Sequence, residues 1–291
     1  MSVKKGRERK GNLVDKRAVR DNFAPILQEA EYRSKQKKSE SIPTISIVMS
    51  TCGLASGAAE TKQAFEEELA LKSIEARIVP VGCLGHCYAE PLVIIDHPTS
   101  GFPAICYYQI NEGRARTLVK SYLEQGDPVL KYVLGAMEAN DLIPAVMDFP
   151  RFKLEQRLVM EQCGLIDPDD IYQYIAEGGY SGLVKALSSQ PEEVVDIIET
   201  SGLRGRGGAG FPTGRKWRIA RAVETDGRIV ICNADEGDPG AYMDRTILES
   251  NPHQLLEGLA ICAHGVGADK AIIYVRAEYP LAVKTMKQAI H

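Results

Sequence analysis

Apolar and polar positions alternate in blocks along this chain, and each block has a period. Residues 44–49 (TISIVM) and 75–81 are short and rich in β-branched side chains, which predicts two strands. Between them, 59–71 places Phe65, Leu69 and Leu71 among Glu and Lys at helical spacing. Residues 92–96 and 105–110 read as a hairpin pair, with turn-forming residues at 97–103, and 113–125 closes the block as a helix. From 126 to 200 the prolines at 128, 144, 150, 168 and 191 break the pattern into short, largely helical connecting pieces. Pro191–Thr200 (PEEVVDIIET) carries a helix start, with Pro leading and acids in the first turn. A second block follows: a glycine-rich loop over 202–214, a helix over 216–223, a strand over 228–232, a loop over 233–240, a helix over Pro252–Val266, a strand over 271–275, and a helix over Pro280–Ile290.

The fold class is therefore α/β in two parts. Residues 44–125, in the order β-α-β-β-β-α, match a thioredoxin-like layout. Residues 201–291 read as the start of a Rossmann-like α/β domain, because strand, helix, strand at this spacing predicts a right-handed parallel crossover. A helical connector spans 126–200 and a basic polar segment spans 1–43. The first 40 residues hold 12 Lys/Arg against 6 Asp/Glu, a local +6 in a chain of net −4. That tract is expected to be a solvated tail, with a frayed helix or a docking arm as alternatives. The final helix has no partner strand after it, so the sequence is expected to be truncated at His291.

Composition narrows the function classes. At 25% charged residues and net −4, nothing in the whole chain suggests nucleic-acid binding. No stretch approaches the roughly 18 apolar residues of a membrane helix, and the N-terminus lacks the apolar core of a secretory signal. Seven cysteines, an odd number in a chain of 291 residues, argue against a disulfide scaffold and for a cytoplasmic setting. Cys106, Cys163, Cys232 and Cys262 are expected as buried small hydrophobes.

Two loops carry candidate chemistry. Ser201 to Trp217 reads SGLRGRGGAGFPTGRKW, with six glycines between 202 and 214. Gly205, Gly207 and Gly210 match G-x-G-x-x-G, but a helix rather than a strand precedes them, so the dinucleotide-fold context is missing. Backbone without Cβ atoms still passes close to a flat ligand and turns N–H groups toward phosphate. Arg204, Arg206, Arg215 and Lys216 supply positive charge, and Phe211 supplies an aromatic face. The second loop, NADEGDPG, places Asn233, Asp235, Glu236 and Asp238 just past a strand's C-terminal end, where ligands bind in open α/β sheets. Its carboxylates can accept from ribose hydroxyls and repel an extra ribose phosphate.

These two loops, with NPHQLLEGLAICAHGVGADKAIIYVRAEYP after them, resemble the NADH-binding flavoprotein subunit of respiratory complex I and the diaphorase subunits of NAD-linked hydrogenases and formate dehydrogenases. The resemblance runs from about Cys163 to the end, and 158–187 is similar to the lead-in of the soluble, fused members. It implies NADH oxidation through FMN, with electrons passed to iron–sulfur clusters and on to a quinone or a partner enzyme. It implies that Gly205, Arg206, Gly207, Gly208, Ala209, Gly210, Phe211, Pro212, Thr213 and Gly214 line the dinucleotide, Phe211 stacking on adenine, while Lys216 approaches a phosphate. It further implies that Asn233, Asp235 and Glu236 contact FMN and the nicotinamide end, with Asp238 beside them where the family often has Glu, and with Ile219 where an aromatic can help hold adenine. No catalytic acid or base is implied. The family's second flavin loop, ubiquitin-like insert and [4Fe–4S] cysteines would lie beyond His291. Partners implied are NADH and the other subunits of such a complex, at the cytoplasmic face of a membrane through those subunits.

Cys52 and the pair Cys83 and Cys87 resemble the thioredoxin-like [2Fe–2S] module often fused to these flavoproteins. That module uses C-x4-C and then C-x3-C; here Gly57 stands at the second position, with Ser56 or His86 as substitutes to weigh. A cluster domain and a degenerate structural domain both remain open, and so does a non-enzymatic docking or accessory role for the whole chain. A thiol-redox module lacks its C-x-x-C.

Overall fold

The computed structural model describes residues 16–291, so the first part of the expected basic segment lies outside the described residues. In chain order the elements are α1 (Lys16–Ser39), β1 (Thr44–Val48), α2 (Thr51–Ala55), α3 (Ala58–Lys72), β2 (Arg77–Val81), β3 (Val93–Asp96), β4 (Ile105–Tyr107), α4 (Glu112–Leu118), β5 (Val133–Ala136), α5 (Ile171–Ala176), α6 (Ser181–Leu187), α7 (Pro191–Thr200), α8 (Thr213–Ala222), β6 (Ile229–Ala234), α9 (Met243–Ser250), α10 (Pro252–Val266), β7 (Lys270–Val275) and α11 (Pro280–Ile290). Two compact units result. One holds 180–230 and 257–272 with the described residues up to 29; the other holds 30–179, 231–256 and 273–291.

In the larger unit a five-stranded sheet runs in the order β2-β1-β3-β4-β5. β1 and β2 are parallel, joined by the crossover through α2 and α3, while β3 pairs antiparallel with both β1 and β4. This is the thioredoxin-like layout that the pattern over 44–125 predicts. Its register separates two faces. Ile45, Ile47, Val93, Ile95, Ile105 and Tyr107 pack against Phe65 and Leu69 of α3, Leu118 of α4 and Tyr122. On the opposite face Val48, Val81, Ile94 and Cys106 pack with Leu84, Leu92 and Val146. Ala234, Leu248, Tyr279, Ala282 and Met286 form a third buried cluster, with α9 against α11.

Several elements differ from expectation. β5 joins the sheet from a stretch expected to be helical and connective; four residues including Gly135 and Ala136 carry too little periodicity to announce a strand. The helix expected over 113–125 is α4 followed by a π turn, Val119–Leu123. From Lys16 onward the expected solvated tail is a helix of 24 residues. Its C-terminal half is anchored: Ala30 is 1% exposed, Lys37 Nζ meets Asp170 Oδ2 at 2.6 Å, and the Arg33 guanidinium lies 3.9 Å over the Tyr172 ring. Cys106 and Cys163 are buried as expected, whereas Cys232 and Cys262 are only half-buried.

In the smaller unit Glu257, on α10, accepts from the backbone N–H groups of Tyr180 and Leu183 at 2.8 and 3.0 Å and so fixes the start of α6. Arg218 of α8 bridges Asp196 and Glu199 of α7, both within 2.7 Å, and Arg221 reaches Glu192. Ile229 of β6 and Ile272 of β7 are exposed in this unit, as Ile231 and Tyr274 of the same two strands are in the larger one.

Candidate nucleotide loops and a thiol site

The glycine-rich loop belongs to the smaller unit and is closed only at its neck. Gly205 N–H donates to Phe211 O at 2.9 Å, Thr213 N–H donates to Leu203 O at 2.8 Å, and the Arg204 guanidinium donates to Gly210 O at 3.0 Å. Gly208 (φ +98°) and Gly210 (φ +59°) sit in the left-handed region that favours glycine. A Cβ placed on Gly207, Gly208 or Gly210 would meet nothing within 4 Å, so the tip is bare backbone facing open space. Arg206, Ala209 and Lys216 are exposed; Phe211 is 45% exposed, with Arg215 5.9 Å over its ring. Pro212 and Thr213 lead directly into α8, whose N-terminal N–H groups carry partial positive charge. Gly214 differs from the rest: it is buried, and a Cβ there would lie 2.3 Å from Glu199 Cα. Its role in the fold is to let α7 and α8 touch. Lys216 also faces Cys262, whose thiol burial lifts to about 11 while the ammonium pulls it down.

The acidic loop belongs to the larger unit and divides its carboxylates between inside and outside. Glu236, 8% exposed, turns inward. Its carboxylate accepts from the N–H groups of Met243, Asp244 and Arg245 at 2.7, 3.1 and 3.3 Å, which caps α9. Tyr279 Oη donates to the same carboxylate at 3.2 Å, and the Arg276 guanidinium donates to the Glu236 carbonyl. Burial, and then the Glu236 charge, raise the carboxyl of Asp244 above the usual range. Asn233 closes a local turn by accepting from Asp235 N–H at 3.1 Å, while Asp235 and Asp238 stay exposed.

The three candidate cysteines converge in the larger unit. Cys52 lies in the first turn of α2, which Glu249 caps: Thr51 N–H and Oγ1 donate to its carboxylate at 2.9 and 2.5 Å. Cys83 follows β2, and its N–H donates to Ser250 Oγ at 2.9 Å. Cys83 Sγ and Cys87 Sγ are 4.0 Å apart, and Arg245 Nη2 donates to Cys52 Sγ at 3.5 Å. Contact with Cys87 holds the Cys83 thiol below its ordinary value, and the same contact with burial pushes Cys87 up. Burial and the neighbouring Cys87 raise Cys52. His86, weighed as a substitute ligand or a solvated loop residue, is 1% exposed and packed against Phe149 and Phe152. Ser56 is exposed at the end of α2, and Gly57 (φ +98°) is the left-handed N-cap of α3.

A [2Fe–2S] cluster does not fit this set. It needs four ligands; three thiols are present, Gly57 has no side chain, and a guanidinium bonds the third sulfur. Among the described residues no group of three or more His, Cys, Asp or Glu is arranged to hold a metal ion. A flavin or nucleotide phosphate does fit the glycine-rich loop, whose bare tip and adjoining helix start are open to it.

Sequence reasoning did not single out Arg245, Glu249, Ser250, Arg276 or Tyr279. Each acts on a residue at least 40 positions away in the chain, and no local pattern marks such a partner. No described helix is long and apolar enough to cross a membrane.

Residues 198–291 match the family model of the Nuo51 FMN-binding domain. The chain is 53% identical over 138 residues to the NADP-reducing hydrogenase subunit HndC of Solidesulfovibrio fructosivorans, which covers 47% of this chain and 28% of that protein. It is 50% identical over 121 residues to an NADH-quinone oxidoreductase subunit of Aquifex aeolicus, covering 41% and 28%. It is 32% identical over 202 residues to the NAD-reducing hydrogenase HoxS subunit alpha of Cupriavidus necator, covering 68% and 30%. The chain thus spans under a third of the length of these relatives. With the glycine-rich and acidic loops both inside the matched segment, residues 198–291 belong to the family of Nuo51 FMN-binding domains.

Proposed function

We propose that this chain is part of an NADH-oxidising flavoprotein, a diaphorase subunit that serves a complex I-like, hydrogenase or formate dehydrogenase assembly on the cytoplasmic side. The observation that carries the reading is the bare glycine ribbon at 207–210, pinched at its neck and leading into the start of α8. Such a ribbon lets backbone N–H groups approach phosphate closely, and a helix start favours the anion. Arg206, Arg215 and Lys216 add charge beside it, and Phe211 offers its face to a base. Gly205 and the run from Ala209 to Thr213 hold the ribbon in shape.

The acidic loop offers its exposed groups to hydroxyl and amide donors: Asn233, Asp235 and Asp238 are the ligand-facing members. Asp235 and Asp238 also repel a ribose phosphate, which favours NADH over NADPH. Glu236 supports the loop from inside by capping α9. FMN, when bound, supplies the conversion from a hydride pair to single electrons. The protein's part is binding and orientation, and no side chain is assigned as acid or base.

The test is NADH oxidation with ferricyanide by the full-length protein, alongside its flavin content. Gly208→Val places a branched side chain at φ +98° on the ribbon and is expected to lower kcat/KM at least tenfold. Unchanged kinetics and flavin content would sink the assignment. The second reading, a docking or accessory subunit, draws support from the missing fourth cysteine. Full-length protein that carries no flavin and oxidises no NADH would favour it.

A further inference from the structure

The thiol site has a geometry of its own, independent of the nucleotide loops. Cys83 and Cys87 are separated by three residues, and Gly85 between them adopts φ +96°, a left-handed turn that brings the chain back on itself. Their sulfur atoms stand 4.0 Å apart. Closing that gap to a disulfide's ~2.05 Å asks the two sulfurs to approach by about 2 Å. The frame around the pair is firm. Cys83 N–H is held by Ser250 Oγ, His86 is wedged between aromatic rings, and Arg151 and Arg157 donate to the carbonyls of Gly85 and Leu84 at 2.5 and 3.2 Å. Cys87 is an exposed residue and Cys83 a buried one, so solvent meets the pair at Cys87. Cys52, the third thiol, also touches Cys87 and is engaged on its other side by Arg245.

We propose that Cys83 and Cys87 are a reversible dithiol–disulfide pair, with Cys52 kept as a thiol under Arg245, in the place where a four-thiolate cluster does not fit. The oxidant is a low-molecular-weight disulfide. The Cys87 sulfur attacks one sulfur of that disulfide, whose S–S bond breaks, and the departing thiolate takes up the proton that Cys87 releases. The Cys83 sulfur then attacks the Cys87 sulfur, the mixed disulfide breaks, and the second small thiol leaves with the Cys83 proton. Two protein thiols and one small disulfide thus become one protein disulfide and two small thiols, with two electrons passed to the oxidant. An excess of small dithiol reverses the exchange.

The experiment uses the full-length protein purified without oxygen, equilibrated with oxidised and then reduced glutathione, and quenched by alkylation before peptide mapping. A Cys83–Cys87 linked peptide is expected in oxidised glutathione, with Cys52 alkylated as a free thiol, and the link disappears in reduced glutathione. Cys52→Ser keeps the link and Cys87→Ser abolishes it. Recovery of both Cys83 and Cys87 as free thiols in oxidised glutathione overturns the proposal. So does a link that includes Cys52. Protection of all three cysteines until iron is chelated also overturns it, in favour of a cluster.

Discussion

The glycine-rich loop and the region around α9 are built in opposite ways. At the tip of the first, three glycines have nothing within 4 Å of where a Cβ would lie, and the loop's few hydrogen bonds are confined to its neck. The second is filled from within: Glu236 caps the N-terminus of α9, Arg245 reaches Cys52, Glu249 caps α2 and Ser250 accepts from Cys83. One region leaves its backbone bare. The other uses carboxylates, which elsewhere would be read as ligand contacts, to satisfy helix starts that burial would leave without partners. A charged residue in a candidate loop is therefore a poor guide to ligand contact until its own partners are known.

The largest effect that could undo this contrast belongs to Gly214, a member of the glycine-rich run that is packed. A Cβ there meets Glu199 backbone at 2.3 Å, so Gly214→Ala is expected to cost about 3 kcal/mol by overpacking, read as a shift in the urea midpoint. A shift near zero would mean that α7 and α8 do not touch there. Glu236→Ala comes next. It leaves three N–H groups and the Tyr279 hydroxyl without their acceptor, and about 2 kcal/mol of stability should be lost; a neutral result in thermal unfolding would return Glu236 to the ligand-facing set.

A pH effect of smaller size refines the picture of the filled region. Burial lifts the Glu90 carboxyl to about 8, from an ordinary 4.5. The folded protein then keeps a proton that the unfolded chain releases, so stability falls as pH rises from about 4.5 to about 8. His86 acts in the other direction. Burial, then Arg151 and Arg157, hold it near 4 against an ordinary 6.5, so its contribution rises between those two values. Above pH 6.5 the His86 contribution is nearly complete and the Glu90 slope continues, at no more than about 1.4 kcal/mol per pH unit. Glu90→Gln should flatten denaturation midpoints measured between pH 6.5 and 8, and an unchanged slope would count against a buried proton on Glu90. The smallest effect is Gly207→Ala. With open space at its Cβ, stability should stay within about 0.5 kcal/mol while nucleotide affinity drops several-fold in a titration. A large loss of stability at Gly207, matching that at Gly214, would erase the difference between tip and foot.

Much of the architecture was legible because it rests on local patterns. The β-branched runs marked β1 and β2, and the spacing of Phe65 and Leu69 marked α3. Pro191 with its following acids marked α7, whose capping box the structure shows between Gln190 and Glu193. β5 was not legible, since its place depends on hydrogen bonds to β4 and not on its own four residues. The site was legible as loops more than as residues. Glycine content marked the ribbon, but nothing in the run distinguishes Gly214 from Gly207; only the approach of α7 does. The motif around Cys52 showed that a fourth cysteine is missing, yet gave no sign that Arg245, 193 residues away, meets the sulfur.

The order of amino acids was enough to mark the strands and helices of the first block, the glycine ribbon, the acidic turn and the three cysteines, because periodicity, turn chemistry and residue type act over a few neighbours. Folding in three dimensions was needed to show which carboxylate faces inward, which glycine is a packing contact, that His86 is buried, and that Cys52 is engaged by Arg245. Those depend on distances between segments remote in the chain, and burial and hydrogen-bond partners exist only once such segments have been brought together.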